Sequence, residues 1–302
     1  EANILSSVEL EGNQYPVIKI NSSVFSDNMN LTAVTLPEGL VEIGAYAFRE
    51  CKNLESVALP ESLTTLGIRA FGGCQSLRAV KIPSKETTIP DQCFSDCSSL
   101  ESVTIPEGVT TIGERAFYCY SGNLQSIICS ATIPPTLGDN AFSNGITPSI
   151  KVPISSIAVY KQANGWKDFT NYYGGDVVNN GITYRINENG ATITAAEATL
   201  TEANIPSAVE FEGNQYPVIK INSSVFSGNT NLTAVTLSAG LVEIGIYAFE
   251  GCKNLESVTL SESLKTLGFG AFESCKSLKT IKIPSKVTTI PNYCFSKCSS
   301  LE

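Results

Sequence analysis

The sequence predicts a β-rich solenoid: two tandem modules of short stacked coils, with tight helical or 3-10 turns at the corners and hairpin or short-helix caps at the ends. Three observations predict it. Phenylalanine recurs every 23 residues at Phe25, Phe48, Phe71, Phe94 and Phe117, and with the same step at Phe226, Phe249, Phe272 and Phe295. A unit this small cannot bury its apolar face alone and must stack on copies of itself. Residues 202 to 302 repeat residues 1 to 101 at an offset of 201, with 76 of 101 positions identical. The composition, 42% hydrophobic and 16% charged, is that of a globular chain long enough for two modules.

Leu54 to Ser76 defines the unit. Val57 and Leu59 alternate with Ser56 and Ala58, the period-two signature of a strand with one buried side, and Pro60 ends it. A second extended piece runs from Leu63 to Leu66, Gly67 breaks it, and Ile68 to Cys74 has room only for a turn of tight helix. Stacked at the inter-strand spacing of about 4.8 Å, such coils place Val on Val, Leu on Leu and Phe on Phe in continuous ladders.

Along the chain, Val8 to Glu11 and Tyr15 to Ile20 flank Gly12-Asn13, a hairpin signal suited to covering the first ladder. Repeats follow from Leu31. In Leu77 to Ser99, Glu86 fills the slot held elsewhere by Leu40, Leu63 and Val109, and its counterpart in the second copy is Val287. A side chain turning outward beside Pro83 is expected there, so that Glu86→Val should stabilise. Leu100 to Asn123 is one residue longer, and Leu124 to Ser149, with Pro134-Pro135, reads as the solenoid running out. Ser155 or Ser156 can cap a short helix whose Ile157 and Tyr160 share a face, and Trp166 and Phe169 then read as capping core. Tyr172 to Gly175 and Asn179-Asn180-Gly181 are turn-forming and mark the module boundary, and Gly181 to Thr194 reads as a hairpin with Ile182, Tyr184 and Ile186 on one side. The first module is therefore expected over residues 1–170 and the second over 171–302. Both ends fall inside repeat units, so the chain reads as a fragment of a longer array.

Six of ten cysteines, Cys51, Cys74, Cys97, Cys252, Cys275 and Cys298, lie three residues after a repeat Phe, while Cys93 and Cys294 directly precede one. Ladder neighbours have parallel Cα–Cβ vectors and stay farther apart than a disulfide wants, so buried free thiols are expected. Zinc is disfavoured, since there is no CxxC pair and no histidine. The missing histidine also excludes Ser-His-Asp, Cys-His and HExxH chemistry. The recurring glutamates Glu42, Glu55, Glu101, Glu243 and Glu256 read as solvated surface, not as a glycosidase pair. No nucleotide-binding glycine loop or calcium loop occurs, and no cofactor is expected. Net charge is −9, with the basic residues spread along the repeats, which argues against nucleic acid as a partner. No run of eighteen apolar residues exists to insert in a membrane.

The pattern L-x-x-V-x-[LI]-P-x-x-[LV]-x-x-[IL]-G-x-x-A-F-x-x-C, seen at Leu31 to Asn53, Leu54 to Ser76 and Leu100 to Asn123, resembles the bacterial leucine-rich repeats of the BspA-like family. The tail VYKQANGWKDF is similar to segments that close such arrays. The resemblance implies a leucine-rich-repeat solenoid in a cell-surface or secreted bacterial protein that acts in adhesion and binding of a protein or glycoprotein, host matrix included, without catalysis. A structural spacer or stalk is the alternative. If Val57 and Leu59 point inward, the outward pairs form the expected docking face: Ala33 and Thr35, Ser56 and Ala58, Ala79 and Lys81, Ser102 and Thr104, Ser126 and Ile128. Lys81, matched by Lys282, is its one positive point.

Overall fold

In a computed structural model, residues 2–11 and 13–302 are described. The chain divides into two compact units, Glu1–Tyr173 and Gly174–Glu302. Each unit is a β-solenoid of stacked coils, as the 23-residue period requires.

In the first unit every coil has three walls. The first wall carries the Val-x-Leu strands, all parallel. Ala2–Asn3, Ala33–Thr35 and Ser56–Val57 form one sheet, and Ala79–Lys81, Ser102–Ile105, Ser126–Cys129, Ser149–Lys151 and Tyr172–Tyr173 form another. The second wall repeats this arrangement with Lys19–Ile20, Glu42–Ile43 and Thr65–Leu66, then Thr88–Ile89, Thr111–Ile112 and Thr136–Leu137. The third wall carries the phenylalanines. It is tight, as expected, but it is a chain of linked turns in place of a 3-10 helix. Tyr46 and Glu50 take φ of 59° and 57°, which no right-handed helix tolerates. Ala47 N–H and Arg49 N–H close turns on Gly44 and Tyr46, whereas Tyr46, Phe48 and Glu50 donate to Ile68, Ala70 and Gly72 of the next coil. Turn closure and stacking thus alternate residue by residue and satisfy the wall's backbone.

The core is the predicted set of ladders. Phe25, Phe48, Phe71, Phe94 and Phe117 stack with centroids 5.0–5.4 Å apart and planes within 6° of parallel. Phe142 adds a sixth ring, 5.4 Å beyond Phe117. The unit read as the solenoid running out is therefore a full coil, its phenylalanine displaced by two residues from the 23-residue step. Beside this ladder Cys51, Cys74 and Cys97 donate their thiols to the carbonyls of Phe25, Phe48 and Phe71 at 3.0–3.3 Å. Cys252, Cys275 and Cys298 repeat the arrangement at 3.1–3.2 Å. All ten cysteines are free.

The caps differ in detail from expectation. Ser7–Leu10 and Asn13–Pro16 pair as a hairpin, Val8 against Tyr15, while its turn at Gly12 lies outside the described residues. This hairpin does not cover the first ladder: Val8 and Tyr15 are 52% and 49% exposed, and Ala2–Asn3 is the strand that adds to the first wall. At the other end a 3-10 turn, Ile154–Ser156, leads into the helix Ile157–Tyr160. Ser156 holds the N-cap position without a side-chain cap bond, because the preceding turn already directs the chain. Ile157, Tyr160 and Trp166 are buried, and Trp166 Nε1–H donates to Pro135 O at 2.8 Å, so the tryptophan closes the core as anticipated.

The second unit opens with a three-stranded antiparallel ribbon, Gly175–Asn179, Ile182–Asn187 and Gly190–Ala196, with Ile182, Tyr184 and Ile186 buried. Gly190–Ala196 then runs parallel to Asn214–Ile221, which starts the second wall and continues into Glu243–Ile244 and Thr266–Leu267. Phe226, Phe249, Phe272 and Phe295 stack at 4.9–5.7 Å. Among the described residues no helix is long and apolar enough to cross a membrane.

Candidate functional site

The outward side chains of the first wall stand in aligned columns because parallel pairing puts equivalent residues opposite one another. Ala79, Ser102, Ser126 and Ser149 form one column; Lys81, Thr104, Ile128 and Lys151 form the next. Ala33 and Ser56 pair in the same way on the neighbouring sheet, where Thr35 is exposed and Ala58, just past its strand, is exposed too. Val34, Val80, Val103 and Ile127 alternate with them and are buried, and Val57 and Leu59 are half-buried against the core. The alternation places the small residues outward.

Strand pairing along the wall is interrupted once: Ser56–Val57 does not pair with Ala79–Lys81, although Arg78 N–H donates to Glu55 O at 3.3 Å beside them, so Ala33, Thr35, Ser56 and Ala58 stand on one paired sheet and the remaining first-unit residues on the next. Ala79 and Lys81 border this break and are exposed, whereas Ser102, Thr104, Ser126 and Ile128, flanked on both sides, are half-buried. Lys81 is not a free positive point: its Nζ lies 2.7 Å from Glu61 Oε1. Ser84 N–H also donates to Glu61, and together they pull that carboxyl down to about 2. In the second unit Lys282 pairs with Glu262 at 3.0 Å and lies outside the named strands. Sequence reasoning missed Ser149 and Lys151, although Ile150 between them stands 23 residues after Ile127.

The break coincides with a change in the sequence. On the second wall Gly44, Gly113 and Gly138 donate an N–H to the coil before, to Ile20 O, Ile89 O and Ile112 O at 2.7–2.8 Å. The slot holds Pro90 in the coil after Gly67, and proline has no N–H to give. Nor is there space for a ring: a Cβ on Gly44 would lie 2.6 Å from Ser22 N. Thr65–Leu66 and Thr88–Ile89 do not pair.

Glu86 fills the gap. It does not turn outward; it is 4% exposed, and its two carboxylate oxygens accept from Leu66 N–H at 2.9 Å and Thr88 N–H at 3.3 Å. Burial holds its carboxyl above the ordinary glutamate value, opposed by these backbone bonds. It takes the donor that the missing strand pairing leaves. The exposed glutamates, in contrast, pair across coils: Glu42 with Lys19, Glu101 with Arg78, Glu256 with Lys279 and Glu243 with Lys220, at 2.8–3.5 Å.

At the end of the first unit a groove of about 460 Å³ runs between the last coil and the cap, with Asp139, Asn140, Asn164 and Asp168 around Phe142 and Phe169. Among the described residues no group of histidine, cysteine, aspartate and glutamate is placed to hold a metal ion.

No curated protein matches this chain in sequence. Among solved structures it is similar to a leucine-rich cell surface protein from Faecalibacterium prausnitzii, 26% identical, covering 100% of this chain and 80% of that one, with a TM-score of 0.40. A leucine-rich repeat protein from Bacteroides capillosus is 37% identical over 38% of this chain and 86% of its own, with a TM-score of 0.36. One from Bacteroides ovatus is 26% identical, covering 99% and 79%, with a TM-score of 0.38. The model of the BspA type leucine-rich repeat region matches residues 18–151 and 218–302, the stretches that carry the ladders. With most of its length in these repeats, the chain belongs to the BspA-type leucine-rich-repeat family.

Proposed function

We propose that this chain is a non-catalytic binding and adhesion module at a bacterial surface, docking a protein or glycoprotein on the first wall of its first unit. The carrying observation is the registered five-stranded sheet from Ala79–Lys81 to Tyr172–Tyr173, whose outward columns hold small or uncharged side chains between Lys81 and Lys151. Such a face is flat and pre-ordered, so a partner binds without ordering loops. Membership of the BspA-type family supports a surface location and protein interaction as the role.

The test is capture of host matrix proteins and mucins on immobilised chain, followed by two variants against whichever ligand is retained. Thr104→Arg with Ser126→Arg crowds the five-stranded sheet, and Ala58→Arg crowds the smaller one. Affinity should fall at least about tenfold in the first variant and little in the second. No retention above background would favour a spacer, and equal affinity in both folded variants would move the site off this wall.

A further inference from the structure

The turn wall of the first unit has a direction. In each coil the residue two before the phenylalanine, the phenylalanine itself and the residue two after it donate their N–H groups to the coil that follows. Tyr46, Phe48 and Glu50 donate to Ile68, Ala70 and Gly72, and Gln92, Phe94 and Asp96 to Glu114, Ala116 and Tyr118, at 2.7–3.0 Å. Arg115 and Phe117 bond Asp139 O and Ala141 O at 3.0 and 2.8 Å, and Cys119 bonds Ser143 Oγ at 2.8 Å. Phe142 ends the series. The equivalent N–H groups of its own coil, those of Asn140, Phe142 and Asn144, meet no acceptor among the described residues.

The cap does not supply one. It extends the first wall with Tyr172–Tyr173 and closes the core with Trp166, whose indole N–H goes to Pro135 O, but the edge of the turn wall stays open. The groove of about 460 Å³ lies along that edge, where a following coil would sit, and Asn140, Phe142 and Asn144 are in its lining. It has room: a Cβ built on Gly145, in the same lining, would meet nothing within 4 Å.

We infer that this groove takes a short, basic peptide segment of a partner protein, whose alternate carbonyls accept from Asn140, Phe142 and Asn144. Donors at alternate residues call for acceptors at the same spacing, which is what a peptide backbone offers and what the next coil supplies at every earlier phenylalanine. That regular spacing favours a peptide over a glycan. Asp139 and Asp168 also line the groove, and neither joins an ion pair found among the described residues, so the segment is matched by Lys or Arg. The net charge of −9 works in the same sense at longer range. Half-buried Leu137, Ile146 and Phe169 leave apolar surface in the lining for a side chain. This is a second site, on a different wall from the docking face, and it does not depend on that face.

The experiment follows the amide resonances of Asn140, Phe142 and Asn144 in the full chain. The probes are the basic peptide acetyl-Lys-Val-Ala-Val-Lys-amide, its acidic counterpart with Glu at both ends, and the disaccharide N-acetyllactosamine. Bonds to the backbone tolerate a generic sequence, so saturable downfield shifts of all three amides are expected with the basic peptide. Its affinity should exceed that of the acidic peptide at least about tenfold, and Asp139→Lys with Asp168→Lys should reverse the order with melting unchanged. Asn144→Pro removes one donor without changing charge, at a residue whose φ is not positive, and should weaken the basic peptide about threefold. If the proline variant folds poorly, the charge reversal alone decides. Shifts with the disaccharide but not the peptides would make the groove a glycan site and overturn the peptide. Absence of a saturable shift at these amides, or affinities that the folded variants leave unchanged, would overturn the site.

Discussion

Glu86 is a carboxylate that the fold uses as a piece of backbone. Its Oε2 replaces the carbonyl that the next coil would have offered Leu66, so Glu86→Val should destabilise the first unit by about 1–3 kcal/mol through an orphaned N–H. The sequence comparison with Val287 points the other way, because a pattern of slots shows polarity but not what lies opposite. The sign with pH follows from burial. The folded carboxyl titrates above its ordinary 4.5, so its stabilising protonation is complete below 4.5 and is lost as pH rises through the folded value. Denaturant melts across that range should show the gap between wild type and Glu86→Val widening as pH falls; a constant gap would remove Glu86 from the account. The thiols were legible where this carboxylate was not, since a three-residue offset from each Phe fixes their place. Burial raises Cys252 to about 12 and Cys294 to about 11, so these resist reaction in the native state. All ten should titrate in denaturant without reductant, and Cys298, the one half-buried thiol, should react first in the native protein. Fewer than about eight reactive thiols would require a disulfide that ladder geometry disfavours.

At the scale of the element, the interruption of strand pairing after the third coil coincides with Pro90 in the glycine slot. Strand pairing is interrupted on both walls there, although Arg78 N–H still donates to Glu55 O at 3.3 Å, and the phenylalanine wall stays bonded, with Phe71 N–H donating to Cys93 O at 2.9 Å and Gly73 N–H to Ser95 O at 2.7 Å. Pro291 occupies the same slot in the second unit, where Thr280 makes only an isolated bridge to Ser257. Local opening costs least where ladder bonds are missing. Amide exchange in residues 83–90 should therefore run at least about tenfold faster than in residues 106–113, their equivalents one coil on. Equal protection would mean that Glu86 and Glu61 replace the lost pairing in full. The repeat, its strands and its inward side chains were readable from periodicity, because stacking forces identical residues into identical environments. The break was not, although Pro90 stands in the glycine slot, since a period counts matches and passes over one mismatch.

At the scale of the whole molecule, two solenoids share most of a sequence and lie in separate compact units, each with its own phenylalanine ladder. Phe71 is fully buried between Phe48 and Phe94, at 5.1 and 5.4 Å, and Phe272 is equally buried between Phe249 and Phe295, at 5.1 and 5.7 Å. Removing either ring opens a cavity that neighbours fixed in a stack cannot close, at a cost of about 3–5 kcal/mol. Stability in a solenoid is a sum of repeat and nearest-neighbour terms, so the loss stays within the ladder that suffers it. Calorimetry should accordingly resolve two transitions, with Phe71→Ala lowering one and Phe272→Ala the other. A single transition that both variants shift alike would show the two solenoids melting as one cooperative body.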